Sequence, residues 1–262
     1  MRDTCDGLVI REKAYGENDK LLSILTAKDG QITVIAKGAR SMKSKLMPFC
    51  RLFTYANFEF YEKNGMRWLS GGSVNDCFFG ISEEIVGFAL ASYVVQLAAE
   101  ITGEGVEAEN TLRMTLNTLY AIEKRLKPYE QIKSAYEIFA ANESGFSPDL
   151  DGCGACGELK NPDGAWLDVM NGRLLCEECM AKKNAVIPTE DELYTSNILM
   201  PMNAQTVLAW KYVSSAPLKR VFSFELKDTE SLSMLSRATE KYITSHLERG
   251  FETLEFYNTV KE

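Results

Sequence analysis

The chain runs to 262 residues, 45% hydrophobic, 25% charged and 10% aromatic, with a formal net charge of −8. That length suits two domains, or one with an insertion, and that composition buries a core large enough to need no disulfide staples. The charged start MRDTCDGLVIREK lacks the apolar stretch of a signal peptide, and the least charged run, 85–99, is too short to span a bilayer, so no membrane partner is expected and the cytoplasm is the expected compartment.

Residues 1–80 read as β-structure, with apolar and β-branched runs at 8–10, 21–26, 32–36, 53–61 and 67–74. Asp29-Gly30 and Asn64-Gly65 separate pairs of these runs and tolerate the positive φ that two-residue type I′ hairpin turns demand. In FEFYE the side chains alternate, placing Phe58, Phe60 and Glu62 on one face and Glu59 and Tyr61 on the other. Five short strands in about 75 residues predict a small closed barrel of the OB type.

Between the third and fourth runs lies KGARSMKSK, 37–45. No acidic residue occurs from Gln31 to Phe58, yet Lys37, Arg40, Lys43, Lys45 and Arg51 all fall there. The first eighty residues hold 12 Lys+Arg against 9 Asp+Glu, and the remainder 17 against 28. Such a sign change hints at different partners for the two parts. A carboxylate-free cationic loop beside an aromatic-rich strand is what a nucleic-acid surface needs: cations track the phosphates and rings take the bases. Lys13, Lys20, Arg51 and Arg67 extend the candidate patch, and Tyr15, Phe49, Tyr55, Tyr61 and Trp68 are candidate platforms, most of which burial preferences assign to the core. Gly38, Ser41 and Ser44 predict a mobile loop that orders on contact. A solvated loop with no ligand would carry the same charges.

From Ser82 the apolar period lengthens to about 3.6. Ile85, Phe88, Ala89, Ser92, Tyr93, Gln96 and Leu97 mark one helix face, and the Gly103–Gly105 stretch ends it. Further helices are predicted at about 108–126, from Pro128 to about 142–145, and at about 189–194, 203–213 and 231–246. The predicted class is therefore α+β: an N-terminal five-stranded OB-type β-barrel, 1–80, then a mainly α-helical domain, 81–262, with a four-cysteine zinc finger inserted at 149–182.

That insertion reads CGACGELKNPDGAWLDVMNGRLLCEEC, with Cys153, Cys156, Cys176 and Cys179 as two CxxC pairs. Each CxxC turn presents two sulfurs on one side, and four thiolates complete a tetrahedral zinc. WLDVM and RLLC flank Asn171-Gly172, a hairpin turn that returns the second pair to the first, as in a zinc ribbon. A thioredoxin-type site uses one CxxC rather than two facing pairs, and a hairpin of this length favours zinc over an iron–sulfur cluster. Four protein ligands leave no open position, so one structural Zn2+ per chain is expected rather than a catalytic one. Cys5, Cys50 and Cys77 stand apart and read as small core residues.

Little points to an enzyme. His246 is the only histidine and reads as a surface or C-terminal-turn residue. GxSxG, HExxH, GxGxxG and the GxxxxGK[ST] loop are all missing, and Glu83-Glu84 and Glu177-Glu178 are adjacent and so point apart. A binding protein is the better reading.

The stretch GLVIREKAYGENDKLLSILTAKDGQITVIAKGARSMKSKL, followed by a helical part carrying CxxC…CxxC and ending in HLERGFETLEF, resembles the bacterial RecO family of recombination mediators. Gly16, Glu17, Asp19, Gly30, the run Ala36-Lys37-Gly38-Ala39-Arg40 and Ser44 carry the likeness, with the four cysteines matching the family's zinc finger. The resemblance implies a non-enzymatic DNA repair protein that binds single- and double-stranded DNA and anneals complementary strands. With RecR, it would help RecA replace the single-stranded-DNA-binding protein, which implies a nucleoid-associated location. The strongly acidic helical part departs from the family's usual balance and suits protein partners. A zinc-ribbon adaptor without DNA affinity is the alternative reading.

Overall fold

The computed structural model describes residues 2–185 and 198–261. In chain order these form β1 (Arg2–Tyr15), β2 (Asp19–Thr26), β3 (Gly30–Ala36), β4 (Tyr55–Lys63), β5 (Met66–Asp76), α1 (Ile85–Ile101), α2 (Glu109–Glu123) and α3 (Tyr129–Glu143). There follow β6 (Asp149–Cys153), β7 (Ala165–Asp168), β8 (Arg173–Leu175), α4 (Glu177–Ala185), β9 (Leu199–Met202), α5 (Ala204–Ser215), α6 (Thr229–His246) and α7 (Glu252–Val260). By packing the chain makes two compact units, residues 1–126 with 251–262, and residues 127–250.

In the first unit the strands close a barrel in the order β1-β2-β3-β5-β4, with β1 pairing β4 and a short parallel contact between β3 and β5. That connectivity is the OB arrangement predicted from the sequence. Alternation decides which side chains fill it: Leu22, Ile24, Ile32, Val34, Phe58 and Phe60 point inward, while Glu59, Tyr61 and Glu62 are exposed. The connection from β3 to β4 plugs the barrel, since Ala39, Phe49 and Cys50 belong to the same core. Burial drives the Cys50 thiol up to about 12 and the Cys5 thiol to about 11, so neither is a reactive thiolate.

The two hairpins differ in one respect from expectation. Asn64 and Gly65 both hold positive φ, as a type I′ turn requires, but between β2 and β3 only Gly30 does. Gly30 is also pressed against backbone: a Cβ there would stand 2.2 Å from the Gly103 carbonyl oxygen and 2.7 Å from that of Val106. Gly30→Ala is therefore expected to cost about 2–4 kcal/mol, the left-handed penalty plus a clash that no side-chain rotation relieves. Urea unfolding followed by circular dichroism checks it, and a midpoint like that of the parent protein would contradict this account.

The helix over 85–99 is present, but it is buried more widely than a single face. Gly87, Leu90, Ala91, Val94 and Val95 are buried, whereas Ile85 and Phe88 are exposed. α1 packs against both α2 and α7, so a one-sided stripe is not required. The helix predicted at about 189–194 lies outside the described residues. No helix among the described residues is long and apolar enough to cross a membrane.

The second unit packs α3 against α6 and α5. Its four-stranded sheet, in the order β6-β8-β7-β9, carries the cysteines. β7 and β8 form the predicted hairpin, pairing Trp166 with Leu175 and Asp168 with Arg173. β6 and β9, which flank it, were not anticipated.

Candidate nucleic-acid interface and metal centre

The loop 37–45 is held, not loose. The Gly38 N–H donates to Asp19 Oδ1 at 2.7 Å and the Arg40 N–H to the Asn18 carbonyl at 3.0 Å. Successive turns follow, Ser41 N–H to the Gly38 carbonyl and Ser44 N–H to the Ser41 carbonyl. Ala39 faces the core, so Lys37 and Arg40 on either side of it are turned out. Gly38, Ser41 and Ser44 suggested a mobile loop; what the sequence did not show is that Asn18 and Asp19, at the start of β2, bond to its first residues.

The eight candidate cations fall into four settings. Lys37, Lys43 and Lys45 are exposed along the loop. Lys13, Lys20 and Arg40 surround one recess of about 280 Å3, together with Glu12 and Ala14. Within it the Arg40 guanidinium donates to the carbonyls of Glu17 at 2.8 Å and Gly16 at 3.3 Å, and Lys20 pairs with Glu12 while donating to the Cys50 carbonyl at 3.2 Å. Arg51 lies over the ring of Phe79, 5.1 Å from its centre. Arg67 lies over Phe60 and lines a separate cleft of about 570 Å3 along β3, where Asp29, Glu62 and Glu104 are the other charged groups.

Of the candidate platforms, Phe49 is buried, Tyr55 and Trp68 are half-buried, and Tyr15 and Tyr61 are exposed. Two carboxylates that bear on the patch escaped the sequence reading. Glu12 meets Lys20 because β1 and β2 pair Glu12 with Leu22, and Glu104 reaches the cleft through a bridge to Gly30.

The four cysteines come together as predicted. Their sulfurs all lie within 4.8 Å of one another, and those of Cys156 and Cys176 are 3.8 Å apart. Four sulfurs at about 2.3 Å from a tetrahedral zinc stand about 3.8 Å from each other, so the donor set and its spacing fit that ion. Cys153 ends β6 and Cys179 sits in the first turn of α4, so one pair is carried by a strand and turn and the other by a helix start. The Gly157 N–H closes the first turn on the Cys153 carbonyl at 2.7 Å, and the Met180 N–H closes the second on the Cys176 carbonyl at 2.9 Å.

Burial opposes ionisation of Cys153, but backbone N–H groups of Cys176, Cys156 and Ala155 outweigh it and bring the thiol to about 6. Sharing hydrogen bonds with the neighbouring sulfurs, Cys176 first, pushes Cys179 up to about 12.

His246 is in the last turn of α6, as read from the sequence, but half-buried rather than on the surface. Its Nε2 lies 2.8 Å from the Val169 carbonyl and its ring stacks on Phe146.

Known proteins resemble this chain in sequence along nearly all of its length. The family described as Recombination protein O N terminal matches residues 1–78, and the one described as Recombination protein O C terminal matches residues 82–255. The protein named DNA repair protein RecO from Alkaliphilus metalliredigens is 26% identical over 252 residues, 95% of this chain and 96% of that one. Its namesake in Acetivibrio thermocellus is 24% identical over 254 residues, 97% and 95% of the two chains. That of Listeria monocytogenes serotype 4a is 31% identical over 180 residues, 69% of each.

Proposed function

Because the chain belongs to the recombination protein O family, we propose that it serves DNA repair as a recombination mediator that binds single- and double-stranded DNA through the barrel's cationic end. In this reading it anneals complementary strands and, with RecR, helps RecA load onto DNA covered by the single-stranded-DNA-binding protein. It does so without catalysis, in the cytoplasm at the nucleoid. The observation that carries the DNA reading is one juxtaposition: Lys13, Lys20 and Arg40 around a common recess, beside a fixed loop that exposes Lys37, Lys43 and Lys45. The β3 cleft is the poorer place for phosphates, with three carboxylates against Arg67. That acid-lined cleft favours the second reading, a protein adaptor, and it is compatible with a partner bound there while DNA occupies the other end.

The cations do not contribute alike. Arg40 also fastens the β1–β2 turn, so its loss would disturb the loop as well as remove a charge. The cleaner variant replaces Lys37, Lys43 and Lys45 by Ala. Anisotropy of a labelled single strand, titrated across a salt series, should show weaker binding at every sequence and a log–log salt slope flatter by about 2. An unchanged slope would take the loop out of the interface, and no binding by the parent protein at low salt would favour the adaptor.

For the metal centre we propose one structural Zn2+, held by Cys153, Cys156, Cys176 and Cys179. The ion supplies cross-linking rather than chemistry, because all four positions around it are protein sulfurs.

A further inference from the structure

Between β5 and α1 the chain places two phenylalanines in opposite environments. Phe78 is 4% exposed and Phe79 61% exposed. Phe78 adopts φ 44° and ψ 48°, and Asp76 fixes it there by accepting its N–H. Phe53 likewise holds φ 68°. Among the described residues these are the only aromatic residues with left-handed backbone. Such backbone at a bulky side chain is rare, and where it persists it tends to mark a site where something binds.

Each strained residue has an exposed ring beside it, Phe88 in space for Phe53 and Phe79 in the chain for Phe78. Phe53 packs edge-on against Phe88, with ring centres 5.8 Å apart, and Phe88 is itself 39% exposed in the first turn of α1. Arg51 spreads over Phe79. The carbonyl of Cys50, next to Arg51, accepts from Lys20 of the cationic recess. Lys20, which shares its recess with Arg40, thus touches the residue next to Arg51, and Arg51 reaches an exposed ring. Of the carboxylates around this segment, Glu84 pairs with Arg125, and Glu123 pairs with Lys124 and accepts from the Gly80 N–H, while Glu83 is exposed.

We propose that Phe79, beside Arg51, is the platform on which bases of single-stranded DNA stack while their phosphates follow the loop cations. The proposal rests on the DNA-binding reading above and adds to it the means of telling a single strand from a duplex. Bases inside a duplex have no free face to offer, so only an unpaired base can lie on the ring. The Arg51 guanidinium, planar and always charged, joins the two functions, as it both covers the ring and faces phosphate. An exposed ring with a guanidinium over it also suits a base better than an apolar peptide, which would leave that charge unpaired.

The test compares parent protein, Phe79→Ala and Phe79→Trp by anisotropy against a labelled oligo-dT strand and a duplex of equal length. Phe79→Ala should weaken the single strand about 5- to 150-fold, the range for losing a stacked base, and leave the duplex affinity and the salt slope unchanged. Phe79→Trp should keep the single-strand affinity, and its added emission should be quenched by oligo-dT. Equal losses on strand and duplex, no loss on either, or an unquenched indole would overturn the proposal. A parent protein that binds neither DNA would sink the DNA-binding reading itself, and this inference with it; that result is visible before any variant is made. Because Phe79 is exposed, matching thermal midpoints should confirm that the variants fold.

Discussion

Elemental analysis of the purified protein is expected to find one zinc per chain, and a Cys176→Ser variant is expected to hold none. The sulfurs already stand at the spacing of a tetrahedral site, while the hairpin strands that join the two pairs are short: β8 has three residues and β7 four. The sheet buries Leu167, Val169, Leu174 and Leu175, but residues 154–158 of the first cysteine turn are exposed, so the ion is what holds that end. Structural zinc sites bind with apparent free energies of about 10–16 kcal/mol at neutral pH, most of which returns as folding energy. Losing one sulfur should therefore unfold the region 149–182, seen as lost near-ultraviolet signal from Trp166 and as protease cleavage inside the finger. Metal affinity should fall as pH falls, because each sulfur must shed its proton to bind. Iron in place of zinc, or a Cys176→Ser protein with full metal content, would overturn the assignment.

The second large effect is expected at Lys133, whose ammonium is fully buried in α3. It donates to Glu137 Oε2 at 3.1 Å, to the Ser236 carbonyl at 3.0 Å and to Ser236 Oγ at 3.2 Å, and pairs with Glu240 at 2.9 Å. Glu137 also accepts from the Thr239 hydroxyl at 2.6 Å. A buried pair adds little over an apolar one, but removing one member strands the other. Lys133→Ala should thus cost about 3–5 kcal/mol in urea unfolding, and Lys133→Met with Glu137→Leu should recover much of it.

The pH dependence gives a further check. Burial raises the Glu137 carboxyl above its ordinary value, against the pull of Lys133. A carboxyl raised in the folded state contributes stability that is lost as pH rises through its folded value. The Lys133→Ala defect should consequently shrink as pH is lowered from 7 toward 5. A defect that grew instead, or a double variant no more stable than the single one, would contradict this account.

What could be read in the sequence was what local spacing carries. Asn64-Gly65, the alternation in FEFYE and the two CxxC turns each need only a few neighbouring residues to act, and each is found where expected. Barrel closure was inferred from strand count alone, since the pairing of Gly7 with Ala56 and of Val34 with Arg67 leaves no mark in either segment. The same gap affected the cationic surface. Its charge was plain, but the contacts that fix Arg40 to the β1–β2 turn and Lys20 to Glu12 arise only from folding. Phe79 was missed because CFFG reads as two apolar residues alike, and only the left-handed turn at Phe78 sends one ring inward and leaves the other in water.

The helix α7 belongs to the first unit although 124 residues of the second unit, 127–250, separate it from α2 and the barrel. Phe251, just before it, packs edge-on against Tyr93 at 5.6 Å, and Thr253 bonds to Gln96, so α1 is completed only by the last stretch of sequence. During synthesis the usual order is therefore reversed. At about 5–20 residues per second α1 waits roughly 6–25 s for α7, while the second unit, whose sequence is continuous, emerges whole. For that interval the Tyr93 side of α1 stands bare, an apolar surface open to chaperones or to another nascent chain. The half of the protein made first is the half that finishes last.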